Sequence, residues 1–179
     1  MAMTASHVRR LITNGDLRLM RRVNGWPAPR WVRLWMICAT RGGDGWLWYI
    51  MGLTLLLFGD GNRFLAAAAA GLSASIGILF FLGLKRFTRR KRPCQIEPHC
   101  WATLLPPDQY SFPSGHTITA FSVAVTLSLF YPSLTLGLLF CATSIALSRV
   151  LLGMHFLSDV VAGAAIGSCL GWAAHTAFL

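Results

Sequence analysis

The chain has 179 residues, enough for one domain, of which 55% are hydrophobic and only 12% charged. Soluble domains carry roughly 25% charged residues, and several runs here approach the roughly 20 apolar residues of a bilayer crossing, which excludes an ordinary soluble protein. The formal charge of +10, from 16 Lys+Arg against 6 Asp+Glu, fits nucleic acid, anionic lipid or a phosphorylated substrate; no nucleic-acid motif accompanies it, so lipid and phosphate remain.

Residues 1–41 hold eight arginines. Between them Leu11, Ile12, Leu17, Met20, Val23, then Trp31, Leu34, Trp35 and Cys38 recur at helical spacing. Asn14-Gly15-Asp16 and Trp26-Pro27-Ala28-Pro29 punctuate the run, and Gly42-Gly43-Asp44-Gly45 reads as a turn. Residues 1–43 are therefore expected to be a basic segment of two or three short amphipathic helices on the membrane surface. Trp26, Trp31 and Trp35 would sit at headgroup level. Residues 44–179 then form the embedded domain, with spans expected over 46–58, 64–84, 115–131, 134–152 and 159–179. The fold class that follows is all-α, a polytopic membrane bundle of about five spans. By parity, loop 85–112 and link 153–158 share one membrane face, and the turns at 59–63 and 132–133 share the other.

Three polar clusters fall on that shared face. The first runs from Lys85 to Pro93 and holds six cations; by itself it fits a snorkelling flank of the preceding span. The second is Pro113-Ser114-Gly115-His116, where Ser114 is placed to cap the helix that follows. Free N–H groups at such a start favour an anion. The third is Ser148-Arg149, then His155, then Asp159. Arg149 ends an apolar helix, where charge is costly and marks function. His155 and Asp159 are four apart, so on a helix the carboxylate would accept from one imidazole nitrogen and free the other to attack. Asp159 also fits an N-cap of the last span. Two His, one Asp, a Ser-Gly helix start and several cations form an inventory for phosphoryl transfer without a metal, and nothing reads as a carboxylate cage for magnesium. No cofactor is called for.

Lys85-x6-Arg92-Pro93, then Pro113-Ser114-Gly115-His116, then Ser148-Arg149-x5-His155-x3-Asp159 resembles the three-part signature of the type 2 phosphatidic acid phosphatase family. These lipid phosphate phosphatases share their core with vanadium haloperoxidases and bacterial acid phosphatases. The resemblance runs from residue 85 to 159 in type, spacing and order, and leaves the Arg-rich start outside it. It implies that His155 is the nucleophile of a phosphohistidine, that Asp159 orients it, and that His116 is the general acid. It implies that Lys85, Arg92 and Arg149 bind the phosphate oxygens, helped by Ser114 and the N–H of Gly115. The implied activity is a membrane lipid phosphatase; a lipid phosphotransferase passing phosphate to another lipid is the alternative. Undecaprenyl diphosphate, phosphatidylglycerol phosphate and phosphatidic acid are the candidate substrates.

Two features remain open in the sequence. Cys94, His99 and Cys100 lack a fourth ligand for zinc, and the thiols read equally as a disulfide or as free. Of the 16 Lys+Arg, only Arg63 lies on the face away from the clusters if the amino-terminal segment stays on their side, which argues for a cytoplasmic site. The family habit and the Cys94/Cys100 pair argue for the extracytoplasmic face of a bacterial inner membrane, and that is the expectation taken.

Overall fold

The computed structural model describes residues 5–97 and 108–179. The expected chemistry of His99 and Cys100 lies outside the described residues, and with it the Cys94 pairing. Among the described residues the fold is all-helical, with no strand. Helix α1 is Ala5–Asn24, α2 is Arg30–Arg41, and a π-helical turn, Gly42–Trp46, leads into α3, Leu47–Phe58. The remaining helices are α4, Arg63–Thr88; α5, a single turn at Pro93–Ile96; α6, Gly115–Phe130; α7, Thr135–Leu151; and α8, Leu157–Ala177.

Helix α6 is the hub, packed against α4, α7 and α8. Its closest partner is α8, which presents Gly163, Gly167 and Gly171 one turn apart. A methyl at Gly167 would lie 2.4 Å from the carbonyl oxygen of Ile118, and one at Gly171 2.6 Å from that of Ser122. The two backbones meet because this stripe carries no side chains, the usual route to close helix packing in a bilayer. Ala66, Ala69 and Ala70 of α4 are buried, and Ala66 and Ala70 meet Ala120 and Ala124 of α6 in the core that Leu138, Ala142 and Ile145 of α7 complete. Trp48 and Leu55 bring α3 onto the same core.

The outer surface is apolar. Phe58, Leu79, Leu136 and Trp172 all point outward, Leu136 with 85% of its surface exposed, which suits lipid and not water. Among the described residues three helices are long and apolar enough to cross a bilayer: the run that begins with α4, the run Pro132–Leu151 ending in α7, and α8. Helices α3 and α6, at 12 and 16 residues, are shorter than a straight crossing of roughly 20.

At one end the tips of α3–α4 and α6–α7 meet, where the Tyr131 hydroxyl donates to Asp60 at 2.9 Å. At the other end, Cys94 N–H donates to Gly153 O at 3.2 Å, so α5 lies on the α7–α8 link.

Four local expectations are corrected. Asn14-Gly15-Asp16 does not interrupt α1, because the Asp16 side chain turns away from its own backbone to Arg90 and Ser158. The 42–45 stretch is not an open turn; helical bonding carries through it with a wide π turn, and only Gly45, at φ 121, departs. Helix α4 runs on to Thr88 and stops where Arg89 takes a left-handed φ of 47, so Lys85 belongs to the helix and not to the loop. Asp159 is not the N-cap of α8: Phe156 holds that position, and Asp159, three residues in, accepts the Phe156 N–H at 2.9 Å.

The amino-terminal helices pack onto the same end. Val32 and Met36 of α2 bury against Leu152 and Met154, and Arg21 of α1 pairs with Glu97 at 2.6 Å.

The packing of α8 on α6 yields a test. Gly167→Ala forces a methyl into a backbone carbonyl and is expected to destabilise the protein by about 1–3 kcal/mol. Gly71→Ala on α4 meets nothing within 4 Å and is expected to be neutral or mildly stabilising. Thermal unfolding of the two variants in one detergent reads the difference.

Candidate active site

The residues singled out in the three clusters converge at the end of the bundle where α4 finishes, α6 begins and α7 passes into α8. Helix α6 starts at Ser114, which occupies the N-cap position without a side-chain cap bond. Its hydroxyl instead accepts from Thr117 Oγ1 at 2.9 Å, and its N–H donates to Asp159 O at 3.2 Å, which ties the start of α6 to the start of α8. A methyl on Gly115 would meet the Phe81 ring at 2.8 Å, so the helix start and α4 can close only over glycine. The same ring lies 5.0 Å beneath the ammonium of Lys85.

Arg92 is fully buried and distributes its donors over three neighbours. Nη1 donates to Met154 O at 2.7 Å and lies 3.1 Å from His155 Nε2. Nη2 donates to Asp108 Oδ1 at 2.6 Å, and Nε to the Asp108 carbonyl at 2.9 Å. Lys85 Nζ donates to the other Asp108 oxygen, also at 2.6 Å. One carboxylate thus bridges both cations. Burial alone would raise the Asp108 carboxyl, but the hydrogen bonds and charges of Lys85 and Arg92 outweigh it and hold it below the usual carboxylate range.

His155 lies in the link ahead of α8 and not on the helix, so the helical geometry expected for the His155–Asp159 pair is replaced by a turn. Its backbone N–H donates to Arg149 O at 3.0 Å. Nδ1 stands 3.7 Å from Asp159 Oδ2, beside the carboxylate without a hydrogen bond to it. Burial first, then the charges of Arg92, Arg149 and Lys85, push the imidazole well below its ordinary value, so the ring is neutral. Asp159 is buried; its Oδ1 accepts from Arg90 Nη1 at 2.6 Å. Arg90 in turn donates to Asp16 Oδ2 at 2.7 Å.

Arg149 donates to Thr40 Oγ1, and its Nε and Nη2 are buried with no hydrogen-bond partner among the described residues. Two buried, unfilled guanidinium donors beside Arg92 and His155 mark space for an acceptor. His116 Nε2 meets Asp44 Oδ1 at 2.7 Å. The structure therefore joins Lys85, Arg92, His155 and Asp159 by contacts or close approach. Arg149 and His116 border them and bear on His155 electrostatically.

Sequence reasoning passed over Asp16, Thr40, Asp44, Arg90 and Asp108. Arg90 lies inside the first cluster with no role of its own, Asp108 sits between motifs, Asp16 and Thr40 lie in the amino-terminal segment, and Asp44 follows directly after it. One signal was available: the chain has only 6 Asp+Glu, and in so basic a membrane protein each acid is a candidate partner for a buried cation. Among the described residues no three His, Cys, Asp or Glu side chains gather as metal ligands.

Several known proteins resemble this chain. The Lipid A 1-phosphatase of Rhizobium etli is 33% identical over 93 residues, 50% of this chain and 39% of that protein. The decaprenylphosphoryl-5-phosphoribose phosphatase of Mycobacterium tuberculosis is 35% identical over 106 residues, 59% of this chain and 55% of that protein. The chain thus spans about half the length of these curated relatives, or less. The crystal structure of LpxE from Aquifex aeolicus superposes with a TM-score of 0.75 at 27% identity, covering 88% of this chain and 93% of that one. With such relatives and three helices fit to cross a bilayer, the protein is an integral membrane protein. Residues 64–179 match the family model of the PAP2 superfamily, well over half of the sequence, and the chain belongs to that superfamily.

Proposed function

We propose that this protein is a metal-independent membrane lipid phosphatase that hydrolyses a phosphomonoester or diphosphate headgroup through a phosphohistidine on His155. The observation that carries the reading is the double grip on Asp108. Lys85 and Arg92 each hold one of its carboxylate oxygens at 2.6 Å, and Arg92 also reaches the neutral His155 ring at 3.1 Å. An oxyanion held between two cations beside an unprotonated imidazole is the arrangement that a phosphate group requires. The Asp108 carboxylate stands in for two phosphate oxygens.

In this reading the substrate phosphate displaces Asp108 from Lys85 and Arg92, and a further oxygen takes the unfilled donors of Arg149. The N–H groups at the start of α6 face the same charge, with Ser114 and Gly115 shaping that turn. Nε2 of His155 attacks phosphorus as the bond to the leaving oxygen breaks. Nδ1 already carries the proton of the neutral ring, and Asp159 stabilises it as positive charge develops on the imidazole, closing the 3.7 Å gap seen at rest. His116 gives a proton to the leaving oxygen. Water then attacks the phosphohistidine, loses its proton to His116 and releases phosphate. The cations neutralise the charge that a metal would otherwise meet.

The site lies at the end of a bundle whose outer surface is apolar, the level at which a headgroup enters from the bilayer. The names of the relatives also speak of lipid-linked phosphates. We take undecaprenyl diphosphate, phosphatidylglycerol phosphate and phosphatidic acid as the candidate substrates. Helices α3 and α6 are proposed to cross as well, giving five spans, because α6 is wrapped by the three longer helices and α3 shares their core. Helices α1 and α2 are proposed to lie in the interface. Trp31, Leu34 and Trp35 face outward, and Trp35 stacks on Phe140 of α7 at 5.9 Å. The active site is proposed to face the extracytoplasmic side of a bacterial inner membrane. The arginines of α1 and α2 on that end then answer to anionic headgroups more than to the topology tendency.

Three measurements test these statements. Phosphate release from a panel of lipid phosphates in detergent with EDTA should persist, and its rank order names the substrate; His155→Ala should lower it by at least ~10³-fold while the protein still inserts. Retained turnover in His155→Ala rules the mechanism out. Asp108→Asn, which weakens the competing carboxylate, should lower KM several-fold; a raised KM would instead make Asp108 a support for the cations. For the membrane face, Arg22→Cys in a cysteine-free background should react with an impermeant thiol reagent added outside intact cells, and protection there reverses the orientation.

A further inference from the structure

We propose that Asp44, outside the matched family region, is a positioning residue for His116: its carboxylate holds Nε2–H and so orients the ring with Nδ1 toward the leaving oxygen as the donor. The inference deepens the phosphatase reading above and rests on it.

The contact is short, with Asp44 Oδ1 and His116 Nε2 2.7 Å apart. The turn that carries Asp44 is shaped around the imidazole. A methyl at Gly43 would lie 3.2 Å from Cδ2 of His116 and 2.9 Å from Ile145 Cγ2, so the backbone rests against ring and helix together. Gly45 then takes φ 121, a conformation that other residues rarely adopt, and redirects the chain into α3. A wide π turn between two ordinary helices is the kind of local departure that recurs at functional sites.

The charges around His116 explain what a carboxylate does there. Lys85 comes from α4, Arg149 from α7, His155 from the α7–α8 link and Asp44 from the π turn. Arg41 stands 3.7 Å from the far oxygen of Asp44. Burial and every cation in that set oppose a proton on the imidazole, and Asp44 is the anion that favours one. With Nε2–H given to Asp44, Nδ1 is the nitrogen with no partner among the described residues. The proton balance closes over one turnover. Nδ1–H passes its proton to the bridging oxygen as the P–O bond breaks, and the ring keeps Nε2–H toward Asp44. In the second half-reaction Nδ1 takes a proton from the attacking water, and the imidazolium is restored.

The test uses the full-length protein in detergent, with kcat/KM measured against pH for a poor leaving group, dioleoyl phosphatidic acid, and a good one, 4-nitrophenyl phosphate. The wild-type acid limb should lie below about pH 6.5, because His155 must be neutral to attack and is held below that ordinary value. Asp44→Asn should leave that limb in place and move the alkaline limb down by about one pH unit, since removing the anion favours the neutral ring. Its loss on the lipid should exceed its loss on the aryl ester by about tenfold, because only the poor leaving group needs the proton. Asp44→Glu should recover most of both effects. The substrate ratio is independent of how much of a variant folds. If Asp44→Asn yields no folded protein, Arg41→Gln, which frees Asp44 of a competing cation, should shift the alkaline limb upward. A wild-type limb and ratio in Asp44→Asn, or an unmoved or lowered limb in Arg41→Gln, overturns the proposal. Should His116→Ala itself keep its turnover on the lipid, the acid role of His116 falls, and Asp44 with it. Loss in His116→Ala beside wild-type behaviour in Asp44→Asn removes Asp44 alone.

Discussion

The structure depends on one constraint: cations must be kept charged inside the end of an apolar bundle. Arg92 has no exposed surface, and Lys85 and Arg149 have almost none. Taking one such ion out of water costs several kcal/mol unless its donors are filled. The local architecture can be derived from how that cost is offset. Arg92 spends its donors on Met154 O, on both the carbonyl and the carboxylate of Asp108, and against His155. Those bonds in turn fix the course of the chain from Pro93 to the α7–α8 link. The buried cation is thus the peg on which the link, with its histidine, is hung.

The acids complete the balance. Of the 6 Asp+Glu in the chain, Asp16, Asp44, Asp108 and Asp159 all stand within this network. Two of the four, Asp16 and Asp44, come from ahead of the family match, and they reach different walls of the site. Asp16 holds Arg90, which holds Asp159; Asp44 holds His116; and Thr40, between them in sequence, takes a donor of Arg149. The segment that lies outside the family match is therefore continuous with the site through polar contacts. The apolar seat of Val32 and Met36 on Leu152 and Met154 holds it there.

The bundle was legible in the sequence because apolar runs of helical length leave few alternatives. The observed helices α3, α4, α6, α7 and α8 begin and end within a few residues of the runs that composition marks out. The punctuation was less legible. Asn14-Gly15-Asp16 carries every mark of a break, yet the helix passes through it, because the Asp16 carboxylate has stronger partners 74 and 142 residues away than its own backbone offers. The glycines at 42–45 look like a loop for the same reason: propensity is local, and the packing of Gly43 against Ile145 and His116 is not. In the site, Lys85, Arg92, His155 and Asp159 are spaced so regularly that their gathering could be expected. Their partners were hidden, since single acids in basic or glycine-rich stretches have no period and no fixed spacing from what they bind.

Under the proposed phosphatase reading, the resting geometry also indicates which contacts change during turnover. Asp108 fills the site between Lys85 and Arg92 but lies on the mouth side, with over a third of its side chain exposed, so it can be displaced without opening the bundle. Among the described residues Arg149 has no such substitute; its Nε and Nη2 are buried without a hydrogen-bond partner. On the proposed function, a phosphate arriving from the membrane side exchanges one carboxylate for its own oxygens at Lys85 and Arg92. It gains outright only at Arg149. In that reading binding energy is concentrated at the residue deepest in the helix end, next to the proposed nucleophile, where it also draws phosphorus toward Nε2 of His155. Placing the gain there, and not at the exposed pair, makes the tightest contact one that is complete only when the reacting atoms are already aligned.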